Sequence, residues 1–230
     1  MKILACDTSN STCCAGVYED GKELSYELSL EMKTHSETFM PLVERVLKNA
    51  NTNCNDLDAT AVTVGPGSFT GIRIGISSVL GIALGANLKC IPVSSTEALA
   101  RSVENVAASP EDTILLPCFD ARNKRVFAQV LTNDTYETLV PEGAYDGVAL
   151  AEELSGREDI RGKVLLVIGS GAKVMSEFLK GDDFSKLQYA AGAVILPKGV
   201  YHASQNIEPV SPEEIHAKYC AVSQAERFSK

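Results

Sequence analysis

The stretch from Ala59 to Leu88 constrains the fold most. Ala59 to Val64 is apolar and β-rich, runs straight into Gly65-Pro66-Gly67-Ser68-Phe69-Thr70-Gly71, and continues as apolar residues without a breaker cluster to about Leu88. That order reads as a buried strand, a tight turn and a long helix, the basic unit of an α/β chain. Pro66 rigidifies the entry to the turn, and Gly67 and Gly71 can take positive φ or admit another piece of backbone at close range.

The flanking segments extend the pattern. Lys2 to Asp7, Thr12 to Glu19 and Lys22 to Leu30 read as three antiparallel strands, with Asp20-Gly21 as the hairpin signal between the second and third. Thr34 and Glu37 have capping-box spacing, and Phe39, Leu42, Val43, Val46 and Leu47 recur at helical spacing. A helix to about Ala50, strained or kinked at Pro41, is expected there. With the strand Cys90–Val93 and a helix from Ser95, the first lobe has the order β-β-β-α-β-α-β-α and is placed at residues 1–107. The polar stretch 108–112 marks the boundary, and residues 108–230 form a second α/β lobe. Its expected elements are paired strands over 113–119 and 125–132, a helix over 148–154, a strand over 163–168, and the turn Gly169-Ser170-Gly171 into a helix over 172–179. The segment 190–196 suits strand or helix equally, and the remainder reads as a loosely organised tail.

A chain of 230 residues is long enough for two such lobes. Its 21 basic and 30 acidic side chains leave a formal charge of −9, which argues against a surface that tracks nucleic-acid phosphates. Ile3-Leu4-Ala5 is far shorter than a secretory apolar region, and Leu4-Ala5-Cys6 reads as strand rather than as a lipoprotein cleavage site. Val79–Leu88 is interrupted by glycines and falls short of the ~18–20 residues of a membrane span. A soluble, cytoplasmic protein is expected. The seven cysteines include no Cys-x-x-Cys pair and read as small buried hydrophobes. His35, His202 and His216 are far apart in sequence, so no metal site is expected, and His35 reads as a local hydrogen-bonding residue.

The glycine turn admits three uses. A P-loop would need Gly-Lys-Ser/Thr at its end, and no lysine follows until Lys89. A nucleophile elbow would need glycine two before Ser68, where Pro66 stands. The third lies along the helix: Gly71, Gly75, Ser78, Gly81 or Ile82, and Gly85 fall at steps of three or four. Several glycines at ~1 kcal/mol each inside a helix ask for a packing reason, either the protein's own sheet or a second helix docked closely. Arg73, in the first turn, suits an ion pair or an interface. Asp7-Thr8-Ser9 and Asp120-Ala121-Arg122 each end a strand that opens a lobe, which suggests two related lobes around a cleft. In an actin-like or sugar-kinase-like fold such hairpins grip phosphates and a magnesium-bound water, with a turn like Gly169-Ser170-Gly171-Ala172 near the adenosine. The first hairpin has no glycine from Thr8 to Ala15, which hinders close approach to a phosphate.

Together, residues 3–9, His35-Ser36-Glu37, the run 65–75 and Asp120-Ala121-Arg122 closely resemble the bacterial TsaB (YeaZ) family, firmly over residues 1–130. Near its C-terminus that family shows a Pro-x-Tyr-x-Arg-like segment, where this chain has Ala217-Lys218-Tyr219-Cys220-Ala221. The resemblance implies a two-lobed fold of the actin, Hsp70 and sugar-kinase type, each lobe a mixed sheet with flanking helices. It also implies a non-catalytic subunit of tRNA threonylcarbamoyladenosine synthesis, with TsaD as the transferase and TsaE as the ATPase. ATP and metal would serve those partners, tRNA would be met only through the complex, and this chain would hold no cofactor, no metal and no catalytic residue. The expected partner surface is the helix after the turn, with Gly71, Arg73, Gly75, Ser78 and Ile82, shaped by Gly65, Pro66 and Gly67. The same face predicts a homodimer when the partner is absent. Asp7, Thr8, Ser9, Asp120, Gly169 and Gly171 would be the relic of a nucleotide cleft. The alternatives are an ATP-dependent phosphotransferase or ATPase of the sugar-kinase type and, against the failed serine and metal motifs, a peptidase.

Overall fold

The computed structural model describes residues 1–30, 34–103 and 110–220. In the first unit, strands β1 (Lys2–Asp7), β2 (Cys13–Glu19) and β3 (Lys22–Ser29) form an antiparallel meander. Asp20 and Gly21 both have positive φ (47° and 86°), as a two-residue hairpin turn matched to strand twist requires. Helix α1 (His35–Asn49) buries all five expected apolar residues, and Pro41 is accommodated on its exposed side. The expected capping box differs in detail, because the Thr34 hydroxyl donates to the Glu37 carboxylate at 2.7 Å instead of capping a helix amide. Strand β4 (Ala59–Gly65), buried throughout, lies parallel to β1; helix α2 (Phe69–Ala86) follows it, then β5 (Lys89–Ser94) parallel to β4, and α3 (Ser95–Ser102). The sheet order is β3-β2-β1-β4-β5.

The second unit contains β6 (Thr113–Asp120), β7 (Arg125–Thr132), β8 (Thr138–Asp146), α4 (Gly147–Gly156), β9 (Val164–Ile168), α5 (Ala172–Met175) and β10 (Lys186–Ala190). Its sheet order, β8-β7-β6-β9-β10, with β6 antiparallel to β7 and parallel to β9, repeats the topology of the first unit strand for strand. Strand β8 is not expected from sequence, because Pro141 and Gly143 interrupt it. As an edge strand it needs no donor on its outer side at residue 141.

The chain end corrects the sequence reading, which ran the second lobe from 108 to 230. Ile195–Tyr219 belongs to the first unit, and the expected boundary at 107/108 lies outside the described residues. The segment 191–196 is neither strand nor helix, and helix α6 (Pro197–Ser204) follows it. At Gly199, α6 approaches Ala98 and Ser102 of α3 too closely to admit a Cβ. Beyond α6, Cys90 and Val210 exchange two backbone hydrogen bonds (2.9 and 2.8 Å), and the Lys218 N–H donates to the Val64 carbonyl at 2.7 Å. The segment 205–218 is therefore tied to the first unit's strands, where a loosely organised tail is expected from sequence.

Helix α2 is long and apolar enough by composition to cross a bilayer. In this fold Ile72, Ile76, Val79 and Ala83 are buried in the first unit's core, so it is a core helix.

Candidate functional site

The glycine turn is built around the β1–β2 loop. Gly65 has φ of 116°, and the Lys218 carbonyl lies where its Cβ would be, so a side chain is excluded on two grounds. After the cis Gly65–Pro66 bond, Ser68 caps α2, its hydroxyl accepting the Gly71 N–H at 3.2 Å. The Ser68 N–H in turn donates to the Ser9 carbonyl at 2.7 Å, and the Thr8 hydroxyl donates to the Gly71 carbonyl at 2.7 Å. A Cβ on Gly67 would strike the Ser9 carbonyl, one on Gly71 the Thr8 carbonyl, and one on Gly75 the Thr8 hydroxyl. Close approach, rather than positive φ, is what Gly67 and Gly71 supply.

That geometry divides the residues expected at a partner surface. Gly71 and Gly75 are buried, and the close contact which the sequence reading left open between sheet and partner is made by Thr8 of the same chain. Arg73 is exposed, and Ser78 and Ile82 are half-buried. Gly81 and Gly85 face open space. Phe69 (44% exposed) and Leu84 (62%) lie near the two ends of the helix and give it apolar surface, which the sequence reading did not single out. The chain end completes this face. Tyr219 stacks on Phe69 at 5.0 Å, accepts a hydrogen bond from Arg73 Nε at 2.9 Å through its hydroxyl, and the Arg73 guanidinium lies 3.9 Å over the Phe69 ring. The only sequence signal for Tyr219 was its place near the family's C-terminal tyrosine.

Asp7, Thr8 and Ser9 come together in the first unit, fully buried. Asp7 Oδ1 accepts from the Ser9 N–H (3.0 Å), the Ser9 hydroxyl (2.6 Å) and the Thr63 hydroxyl (2.5 Å). Ser9 Oγ accepts from the Ser95 hydroxyl at 3.0 Å and from Asn10 Nδ2 at 2.9 Å. Burial pushes the Asp7 carboxyl above the usual range, and the hydrogen bonds from Ser9 and Thr63 only partly offset it. His35 Nε2 meets the Asn10 carbonyl at 2.7 Å, the local role expected of it. The loop that would have to hold a phosphate thus has the Thr8 and Ser9 hydroxyls and the Ser9 carbonyl engaged by the chain itself, with α2 packed into it, while Asp7 Oδ2 and the Thr12 hydroxyl are buried without a hydrogen-bond partner among the described residues.

In the second unit, the Asp120 N–H donates to Ser170 Oγ at 3.2 Å and Asp120 Oδ1 accepts the Arg122 N–H at 2.7 Å. Gly169 (φ 96°) donates to the Ala190 carbonyl and Gly171 to the Cys118 carbonyl, both at 3.0 Å, which ties this turn to β10 and β6. Gly171 caps α5, which is shorter than the expected helix over 172–179. Cys6, Cys14 and Cys118 are buried with their thiols pushed well up by desolvation, and Cys13 is pushed up to about 12, as small buried hydrophobes require. No cluster of metal-binding side chains occurs among the described residues.

Two units of one topology, each a three-stranded meander extended by two parallel strands with helical crossovers, define the actin, Hsp70 and sugar-kinase fold class. The structure of YeaZ from Pseudomonas aeruginosa superposes with a TM-score of 0.77 over 95% of this chain and 99% of that one, at 20% identity. The family model described as "TsaD: tRNA N6-adenosine threonylcarbamoyltransferase" matches residues 29–191. A Haemophilus influenzae protein named tRNA threonylcarbamoyladenosine biosynthesis protein TsaB is 35% identical over 138 residues, 57% of this chain and 54% of that protein. The Escherichia coli protein of the same name is 29% identical over 236 residues, 98% of this chain and 93% of that protein. The match thus spans about half of the first relative and nearly all of the second. The chain belongs to the TsaB (YeaZ) family, within the wider family that the matching model describes.

Proposed function

We propose that this chain is a non-catalytic subunit that acts with TsaD and TsaE in threonylcarbamoylation of the adenosine next to the anticodon of tRNA, as scaffold and activator of the transferase TsaD. The names of the E. coli and H. influenzae relatives place them in this biosynthesis. The observation that carries the reading is the closed β1–β2 loop, where Thr8 and Ser9 are bonded to the glycine turn and buried instead of presenting donors to a phosphate. What the first unit presents instead is the outer side of α2. Arg73 lies there with Phe69, Tyr219 and Leu84, Ser78 is half-buried at the margin and Ile82 packs partly against the core, while Gly71 and Gly75 set the helix position from behind. An apolar surface with a braced arginine suits the core of a protein interface. The same face can pair with its own copy when the partner is missing. ATP and a metal ion then belong to the partner subunits, and with a charge of −9 this chain meets tRNA only through the complex, in the cytoplasm and away from membranes.

Reconstitution tests the reading. TsaD, TsaE and the enzyme that makes the threonylcarbamoyl adenylate are supplied with tRNA, threonine, bicarbonate and ATP, and modified adenosine is measured with and without this chain. The expected result is product that requires the chain, while the chain alone neither binds nor hydrolyses ATP. Product formed equally without it, or ATP turnover by the isolated chain, refutes the proposal.

A further inference from the structure

A groove of about 550 Å³ opens in the second unit between α4 and the segment after α5. The volume falls in the range of ordinary ligand and side-chain pockets. Its apolar surface comes from Val148, which is 43% exposed, and from Phe178. Its polar lining includes Glu152, Glu177 and Asp183 against the single ammonium of Lys180, a charge balance of 1 − 3 = −2. None of those three carboxylates makes an ion pair among the described residues. The aromatic wall is fixed in place. A Cβ at Gly147 would meet the Phe178 ring at 2.8 Å and the Lys124 carbonyl at 2.9 Å, so only glycine lets the start of α4 close on that ring. The Lys124 ammonium stands 5.9 Å from the ring centroid, and counting it with Lys180 still leaves three carboxylates against two ammonium groups.

We propose that this groove docks a basic segment of a partner protein through an arginine or lysine side chain. The side-chain stem lies along Val148 and Phe178, and the cationic head meets Glu152, Glu177 and Asp183, the division of labour that long basic side chains favour. Charge selects this occupant. A nucleic-acid phosphate would face three unpaired carboxylates, and an apolar segment alone would leave them stripped of water without a partner. All of these residues belong to the second unit, so the proposal stands apart from the reading of the first.

The full chain is titrated into a fluorescent Arg-Leu-Arg-Leu-Arg peptide, with spermidine and a short single-stranded RNA as separate probes. The Glu152→Gln/Glu177→Gln double variant changes only exposed carboxylates, and Glu153→Gln/Glu158→Gln removes the same charge outside the groove. The expected result is peptide binding that weakens about tenfold in the first variant and stays within about twofold in the second, with Phe178→Leu intermediate. Equal loss in the two double variants reduces the effect to the chain's overall charge and overturns the proposal. So does displacement of the peptide by spermidine at equal or lower concentration, or saturable RNA binding that the peptide displaces. Because the glutamine variants alter surface groups, the comparison between them holds whether or not Phe178→Leu folds.

Discussion

Helix α2 contains an internal test of the packing argument, since the same substitution at two of its glycines must have opposite signs. Gly81 faces open space, so Gly81→Ala gains only the helix propensity that glycine forgoes, ~1 kcal/mol. At Gly71 the same gain is set against a methyl group driven into the Thr8 carbonyl, a backbone atom held within the β1–β2 loop. Overpacking of a rigid neighbour costs ~1–3 kcal/mol, and a backbone contact lies at the upper end, so Gly71→Ala should lose ~1–2 kcal/mol net. For a chain of this size ~1 kcal/mol moves Tm by about 2–4 °C. Thermal unfolding followed by circular dichroism should therefore place Gly81→Ala about 2–4 °C above the parent and Gly71→Ala several degrees below it. Gly75 adds a cycle, because the atom in its way is the Thr8 hydroxyl and the next neighbours stand at 3.6 Å. Adding Thr8→Ala should then recover ~1 kcal/mol of the Gly75→Ala loss. Equal stabilisation by Gly71→Ala and Gly81→Ala would refute the claim that the β1–β2 loop fixes this helix.

Asp7 titrates with its folded pKa raised above the unfolded 3.8, so its contribution to stability is fully present below 3.8 and is lost as pH rises through the folded value. Asp7→Asn should therefore improve relative to the parent between pH 4 and pH 7, and a constant Tm difference over that range would contradict the burial argument. Arg73→Ala removes an exposed cation–π contact worth ~0.5–1 kcal/mol, so Tm should move by no more than about 4 °C. Its association with the proposed partner TsaD, measured by calorimetry, should weaken about tenfold or more, and unchanged affinity would refute the proposed placement of Arg73 in that interface. Under native conditions a thiol reagent at pH 8 should modify the half-buried Cys54 and Cys220 first and reach the five buried cysteines only on unfolding. Rapid modification of Cys6 or Cys14 would show that β1 and β2 are less shielded than the structure has them.

Local sequence pattern made the eight strands and helices from β1 to α3 readable, because Phe39, Leu42, Val43, Val46 and Leu47 or Lys2 to Asp7 display their buried residues within one short segment. It could not identify what fills the small-residue side of α2, since the contact with Thr8 spans 63 residues of sequence. A stripe of glycines states that something comes close and leaves the partner open. The same limit hid the return of Ile195–Tyr219 to the first unit, whose contacts are scattered along it: Gly199 against α3, the Tyr201 ring on Tyr18, the bridge at Val210, the Lys218 hydrogen bond and the Tyr219 ring on Phe69. None of these carries a local pattern. Strand β8 was hidden for another reason, because Pro141 and Gly143 are tolerable only at a sheet edge, and edge position is a tertiary fact. The groove in the second unit was equally illegible, its walls coming from α4 and from residues 177–183, which no motif joins.

The closed loop and the exposed helix face are two consequences of one arrangement. With Ser68 bonded to Ser9, and with Gly67, Gly71 and Gly75 pressed against Ser9 and Thr8, the first half of α2 is anchored through backbone contacts that cannot shift independently of β1. The hydroxyls that a nucleotide-binding relative of this fold would turn toward phosphate are here used to position a helix. Such a helix presents Phe69, Arg73 and Tyr219 already mutually stacked and hydrogen-bonded, so less conformational freedom remains to be lost on association. In the proposed reading, the contacts that close the loop are the same few that preorganise the docking face. A substitution that reopened the loop, such as Ser68→Pro, which deletes the N–H donated to Ser9, should weaken partner binding without restoring affinity for ATP. The carboxylate of Asp7 would still be buried and bonded to Thr63, and no lysine stands in the turn to meet a phosphate.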